Sequence, residues 1–165
     1  MKELLLVRHA KSDWDKPHLS DHERPLNKRG HRAATAMGVL WAGILRPPDL
    51  IVSSSARRAL DTAHYFARAW RIPEADIRQD DHLYLATPHS WLHIVRKLPD
   101  SAGLVAMFGH NEGISEFVAF LLGRTFVSMP TCAGVWLQMA IDAWADVSED
   151  LATLQRYEFP KKYGL

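Results

Sequence analysis

The chain has 165 residues, 47% hydrophobic and 24% charged, with a formal net charge of +1 and one cysteine, Cys132. These bounds predict one domain over residues 1–165 with an ordinary soluble core, and they exclude an internal disulfide and a cysteine-based metal cluster. The near-neutral charge argues against bulk attraction to nucleic acid, and no apolar run approaches the roughly 20 residues of a membrane span.

The first element is a short apolar run, Glu3 to Val7, which suits a buried strand ending at Arg8-His9. It is too short for a signal-peptide core, so the cytoplasm is the expected compartment. Residues 10–26 are polar, carry Pro17 and Pro25, and read as a long loop. Asn27 caps a predicted helix over 28–45 with Ala33, Ala36, Met37, Leu40 and Ile44 on its apolar face, and Pro47-Pro48 closes it. A second short strand follows over 49–53. Ser54 or Ser55 is the expected cap of a helix reaching Trp70. Thr87-Pro88 opens a helix to about Leu98, because Thr is a favoured N-cap and Pro is tolerated at the first helical position. Leu104 to Phe108 reads as a third strand ending in Gly109-His110, and Asn111 as the cap of the next helix. Two last strand-like runs, 133–141 and 152–159, are expected to pair as a hairpin.

Strands alternating with helices predict a three-layer α/β/α sandwich with a mostly parallel central sheet and a C-terminal strand hairpin. Such sheets bind ligands outside the carboxyl ends of their strands. Three strand ends here carry Arg8-His9, Ser53-Ser54 ahead of Arg57-Arg58, and Gly109-His110, so these residues are expected on one rim. Charge is also uneven. Residues 1–58 hold 11 Lys and Arg against 6 Asp and Glu, whereas the remainder is net acidic. Some of the excess cations suit an anion pocket; Lys28, Arg29 and Arg32 read as a solvated helix face.

A phosphoryl group needs cations and hydrogen-bond donors around its oxygens, and a nucleophile in line with the leaving group. The planar guanidinium fork of arginine suits the first task, and a neutral imidazole nitrogen suits the second. A second, protonated histidine would hold a non-bridging oxygen.

Four segments carry a resemblance. Leu5-Leu6-Val7-Arg8-His9-Ala10-Lys11-Ser12, Arg24-Pro25-Leu26-Asn27-Lys28-Arg29-Gly30, Arg58-Ala59-Leu60-Asp61-Thr62-Ala63 and Phe108-Gly109-His110-Asn111 resemble, in order and spacing, the motifs of the histidine phosphatase superfamily. They span residues 4–113, and the small size is similar to its phosphohistidine phosphatase branch. The resemblance implies a hydrolase with His9 as the phosphorylated nucleophile, Arg8 and Arg58 as phosphate ligands, and His110 as a source of charge and hydrogen bonding. It places Arg24, Lys11 and Asn111 at the pocket as substrate-binding neighbours. It implies no cofactor and no metal, and its partners would be a phosphorylated protein or a small phosphorylated metabolite, with neither nucleic acid nor membrane.

One departure stands out. Many members carry a glutamate general acid in a stretch corresponding to residues 83–88, and this chain has no carboxylate there. Asp80, Asp81, Asp13 and Asp15 are the alternatives. An alkoxide leaving group needs such an acid, worth roughly 10²–10⁴-fold in rate, whereas the imidazole of phosphohistidine can be protonated by solvent near neutral pH. The departure favours phosphohistidine on a protein over a small-metabolite ester. A silent phosphoprotein-binding domain is the third reading, and it would have no need of the nucleophile.

Other residues read more plainly. His89 and His93 have metal-ligand spacing but no third ligand. Arg57 is a surface residue beside Arg58. Trp41, Trp70, Trp91 and Trp136 read as packing residues. Trp14, in the loop after His9, is either a wall of the substrate entrance or a loop anchor.

Overall fold

The computed structural model describes all 165 residues. Its sheet comprises β1 (Lys2–Arg8), β2 (Leu50–Ser54), β3 (Ile77–Asp80), β4 (Leu104–Gly109), β5 (Gly134–Met139) and β6 (Ala152–Glu158), ordered β3-β2-β4-β1-β5-β6. The helices are α1 (Lys28–Ile44), α2 (Arg57–Ala69), α3 (Pro88–Arg96) and α4 (Gly113–Leu122). The pairs β1–β4, β2–β4 and β2–β3 are parallel, while β5 is antiparallel to both β1 and β6. The fold is therefore the expected α/β sandwich, mostly parallel, with the C-terminal hairpin added beside β1.

Leu4 to Val7 are fully buried because β1 is central and both its faces are covered. Leu4 and Leu6 pack with Trp91, Val95, Phe117 and Leu121 from α3 and α4. Leu5 and Val7 pack with Met37, Trp41, Ala63 and Phe66 from α1 and α2. Each such side chain contributes about 1.5–3 kcal/mol of transfer free energy on full burial. The alternation follows from the two-residue period of a strand. On α1 the buried stripe is Ala34, Met37, Gly38 and Trp41, roughly one position round from the predicted face. Trp41, Trp70 and Trp91 are core, and Trp136 is half-buried with its indole N–H donating to Glu3.

Two predicted caps are wrong. α2 starts at Arg57 after Ala56, with no side-chain cap; the Ser54 hydroxyl accepts the Ala56 N–H and turns toward the cleft instead, and Ser55 pairs with His22. α4 starts at Gly113, and Asn111 does not cap it. Its amide donates to Ser128 Oγ and Met129 O, and its carbonyl oxygen accepts from Ser115. Strand β3 is absent from the sequence reading because Ile77-Arg78-Gln79-Asp80 buries one apolar residue on a sheet edge and shows no apolar run.

Asn27 caps α1 as expected, accepting the Gly30 N–H at 2.8 Å, while its own N–H donates to Lys11 O. Gly30 lies so close to the loop after His9 that a Cβ there would sit 2.1 Å from the Lys11 carbonyl oxygen. Gly30→Ala is expected to destabilise the protein by about 2 kcal/mol or more through overpacking of backbone on backbone. Urea denaturation measures this, and an unchanged midpoint would mean that the loop shifts freely.

Candidate active site

β1, β4 and β2 are neighbours in the sheet, and their carboxyl ends are in register. Arg8 pairs with Gly109 and Ser53 with Phe108, and the His9 N–H donates to Gly109 O at 3.0 Å. That register carries His9 and His110 to the same rim, with ring centroids 5.2 Å apart. A cleft of about 280 Å³ opens there. Arg8, His9, Lys11, Arg24, Arg58, His110 and Asn111 all line it, together with Ser12, Trp14, Asn27, Leu85 and Thr131.

His9 is 7% exposed, and its Nδ1 lies 2.7 Å from the Ala10 carbonyl oxygen. A carbonyl only accepts, so Nδ1 carries the proton and Nε2 keeps its lone pair. The Ala10 N–H donates to Thr62 Oγ1, and the Thr62 hydroxyl donates to Arg58 O. Cys132 N–H donates to the Arg8 and His9 carbonyls. The nucleophile-bearing turn is thus held from α2 on one side and from the 129–132 loop on the other.

Arg58 is 3% exposed, whereas its neighbour Arg57 is exposed and pairs with Asp61 one turn on. Arg58 donates to Asp21 O at 2.7 Å and to Asp21 Oδ2 at 3.0 Å. Arg24 donates to Asp21 Oδ1 and to Ser12 Oγ, and stacks on Trp14 with its guanidinium carbon 3.5 Å from the ring centroid. Trp14 therefore stands on the rim as a platform for Arg24, although it is 74% exposed. Arg8 donates to Met129 O, and Asn111 secures the same loop with an amide whose donors are already engaged. Lys11 is exposed at the edge.

Asp21 and Tyr84 are the residues the sequence reading missed. The Tyr84 hydroxyl donates to Asp21 Oδ2, and its ring lies edge-on to His110 with centroids 5.5 Å apart. Burial alone would raise the Asp21 pKa, but hydrogen bonds from Tyr84 and Arg24 and the charge of Arg58 hold it well below the usual carboxylate range. Ser20-Asp21-His22-Glu23 is a capping-box pattern, with Ser20 accepting the Glu23 N–H, and that local signal marks the turn that presents Asp21 to Arg24 and Arg58. Asp80 is committed to His82, Asp13 to the Asp15 N–H, and neither they nor Asp81 and Asp15 line the cleft.

Burial lowers the His9 pKa from 6.5 to about 3, with Arg58, Arg8 and Arg24 adding to the effect against the Ala10 hydrogen bond. Burial, then His9 and Arg58, also lowers His110. Both rings are therefore neutral at neutral pH, and the protonated second histidine expected from the sequence is not the state of the free protein. A depressed histidine favours the fold only while neutral, so the unfolded chain binds the extra proton between pH 6.5 and 3. Stability is expected to fall by about 1.4 kcal/mol per pH unit for His9 across that window. Urea unfolding at pH 7 and pH 5 is expected to show wild type losing about 2 kcal/mol more than His9→Gln. Equal losses would mean that His9 is not held neutral.

Five buried side-chain nitrogens have no partner within the protein: Arg8 Nε, Arg58 Nε and His110 Nδ1 belong to residues that line the cleft, and Trp41 Nε1 and Trp91 Nε1 lie in the core. His110 Nε2 lies 2.8 Å from Ser54 Oγ, and where the serine hydroxyl donates in that bond the neutral ring carries its proton on Nδ1. Arg8, Lys11, Arg24 and Arg58 on one cleft suit an anion with many acceptor oxygens. The group of residues offers cations, donors and one imidazole lone pair, which is the equipment for phosphoryl transfer.

Comparison with known proteins agrees. The model of the histidine phosphatase superfamily (branch 1) matches residues 4–84. An uncharacterised chloroplast protein of Arabidopsis thaliana is 29% identical over 162 residues, covering 88% of this chain and 70% of that protein. A solved structure from Nakamurella multipartitia, named for the phosphohistidine phosphatase SixA, is 29% identical with TM-score 0.80 and covers 96% of each chain. A mycobacterial glucosyl-3-phosphoglycerate phosphatase shares the fold at TM-score 0.69 and 17% identity, over 93% of this chain and 97% of its own. The chain belongs to the histidine phosphatase superfamily and is a phosphatase. Within that superfamily it belongs to the small SixA-like branch.

Proposed function

We propose that the protein removes phosphoryl groups from phosphohistidine on a protein, through a phosphohistidine intermediate on His9. His9 Nε2 attacks phosphorus; the N–P bond to the substrate imidazole breaks, and that ring leaves with the electron pair and takes a proton from solvent. Water then attacks the His9 phosphoryl group, restoring the imidazole and releasing phosphate. Arg8 and Arg58 bind the equatorial oxygens, where the charge is spread in the transition state. His110 donates through Nδ1, and the approaching dianion favours its protonated form.

The single observation that carries the substrate class is the set of side chains lining the cleft, which holds four cations and no carboxylic acid. Asp21, the carboxylate paired with Arg24 and Arg58, is held ionised and is a poor proton donor, and Glu112, whose charge acts on Arg8, accepts from Ser128 and does not line the cleft. An alkoxide leaving group would therefore depart without a general acid, and an imidazole has no such need. The name of the Nakamurella protein supports the same reading.

The test is a substrate panel on wild type and His9→Ala: a phosphohistidine peptide, p-nitrophenyl phosphate and sugar phosphates. The peptide is expected to be cleaved with the highest kcat/KM. Faster cleavage of sugar phosphates would assign the cleft to a small phosphorylated metabolite instead.

A further inference from the structure

Arg29 and Arg32, which read as a solvated helix face in the sequence, line a second groove of about 350 Å³ with Lys11 and Lys161. The groove adjoins the cleft, because Lys11 and Thr131 line both. Its cations come from three separate parts of the chain: the loop after His9, the first turns of α1, and the turn at Pro160–Tyr163. None of the four has a carboxylate within 4 Å, whereas Arg46, Arg57, Arg68 and Arg156, four of the eight other exposed arginines, are each paired with one. Against these four cations the groove lining holds no Asp or Glu side chain and a single carboxylate, that of the terminal residue Leu165, so the excess positive charge repels itself and folding gains nothing from placing it there. An anionic partner turns that repulsion into attraction.

We propose that this groove binds acidic side chains flanking the phosphorylated residue of a protein substrate. The proposal rests on the phosphoprotein reading above and deepens it. The shared wall at Lys11 and Thr131 sets the geometry. A residue spans about 3.3 Å of extended chain, so a segment whose phosphoryl group faces His9 lays its neighbouring residues over Lys11 and then along Arg29, Arg32 and Lys161. Recognition of this kind is electrostatic and weakens with salt.

Two phosphohistidine peptides, one flanked by Glu and one by Gln, test it at low ionic strength. Wild type is expected to prefer the acidic peptide about tenfold in kcat/KM, the worth of a few exposed ion pairs. The triple variant Arg29→Gln, Arg32→Gln, Lys161→Gln is expected to lose that preference and to keep p-nitrophenyl phosphate hydrolysis within twofold. Indifference of wild type, or preference retained by the variant, overturns the proposal. A calorimetric arm with unphosphorylated Glu-rich and Gln-rich peptides separates it from the phosphohistidine reading. Glu-selective binding lost in the variant supports the groove even if no phosphohistidine is cleaved; absence of such binding counts against it whatever is cleaved. A variant-sensitive preference for a bisphosphorylated sugar over its monophosphate, with no peptide preference, would assign the groove to a small second phosphate and overturn the protein segment.

Discussion

Replacing His9 by alanine is expected to lower turnover by about 10⁴-fold or more while the protein still binds vanadate or phosphate. The reason is a division of labour within the cleft. His9 supplies the lone pair at Nε2, and its Nδ1–H is tied to Ala10. The cations and polar groups that line the cleft beside it belong to other residues, Arg8, Arg24, Arg58 and His110. Removing the imidazole takes away the bond-forming atom and leaves those groups in place. Single-turnover assays with phosphohistidine peptide measure the loss, and titration with vanadate measures the binding. Acid-labile incorporation of phosphate into wild type, absent from the variant, is the companion result. Substantial hydrolysis by His9→Ala would remove the covalent step from the mechanism.

Arg58→Ala is expected to reduce kcat/KM by about 10²–10³-fold and to weaken oxyanion binding with it. Arg58 is almost fully buried and presents both a partnerless Nε and a fork held by Asp21. With its end held by Asp21, the guanidinium keeps its remaining N–H groups and its charge for a phosphoryl group, as charge-assisted hydrogen bonds. Arg58→Lys restores the charge but not the fork, so it is expected to recover only part of the loss. Asp21 stays partnered by Arg24 and Tyr84 in either variant, which keeps a bare carboxylate from being stranded. Circular dichroism checks the fold. An Arg58→Lys enzyme with full activity would show that a point charge is enough.

Asp21 has a second consequence. Its carboxylate occupies the outer face of Arg58 and Arg24, so these arginines are pre-aimed before substrate arrives. Long flexible side chains lose rotamer freedom when they bind, and a fixed fork has less to lose. The sequence shows four acidic residues in the 10–26 loop, Asp13, Asp15, Asp21 and Glu23. Only the fold distinguishes the one that pairs with Arg24 and Arg58 from those that hold local turns or face water. The same is true of Tyr84, whose link to Asp21 spans 63 positions.

Strand β1 was legible because four consecutive buried apolar residues ending in Arg8-His9 leave few alternatives. Helix α1 was legible from Asn27, and α3 from Thr87-Pro88, since caps are local hydrogen bonds written in neighbouring residues. The caps assigned to Ser54 and Asn111 failed for the converse reason. Both side chains have distant partners, His110 and the 128–129 loop, that outweigh the local one. Edge strand β3 had no apolar signal to read.

The sequence by itself determined the strand ends that carry His9 and His110 and the one that precedes Arg58, because hydrophobic runs and the residues that stop them are local properties of the chain. It also determined the missing glutamate between residues 83 and 88. Tertiary structure alone decided that both histidines are neutral, since their depressed pKa values come from burial and from arginines brought in by other segments. It alone placed Asp21 against two arginines, and gathered Lys11, Arg29, Arg32 and Lys161 into one unpaired groove. Electrostatic environment depends on what lies within a few ångströms, and most of those neighbours are far apart along the chain.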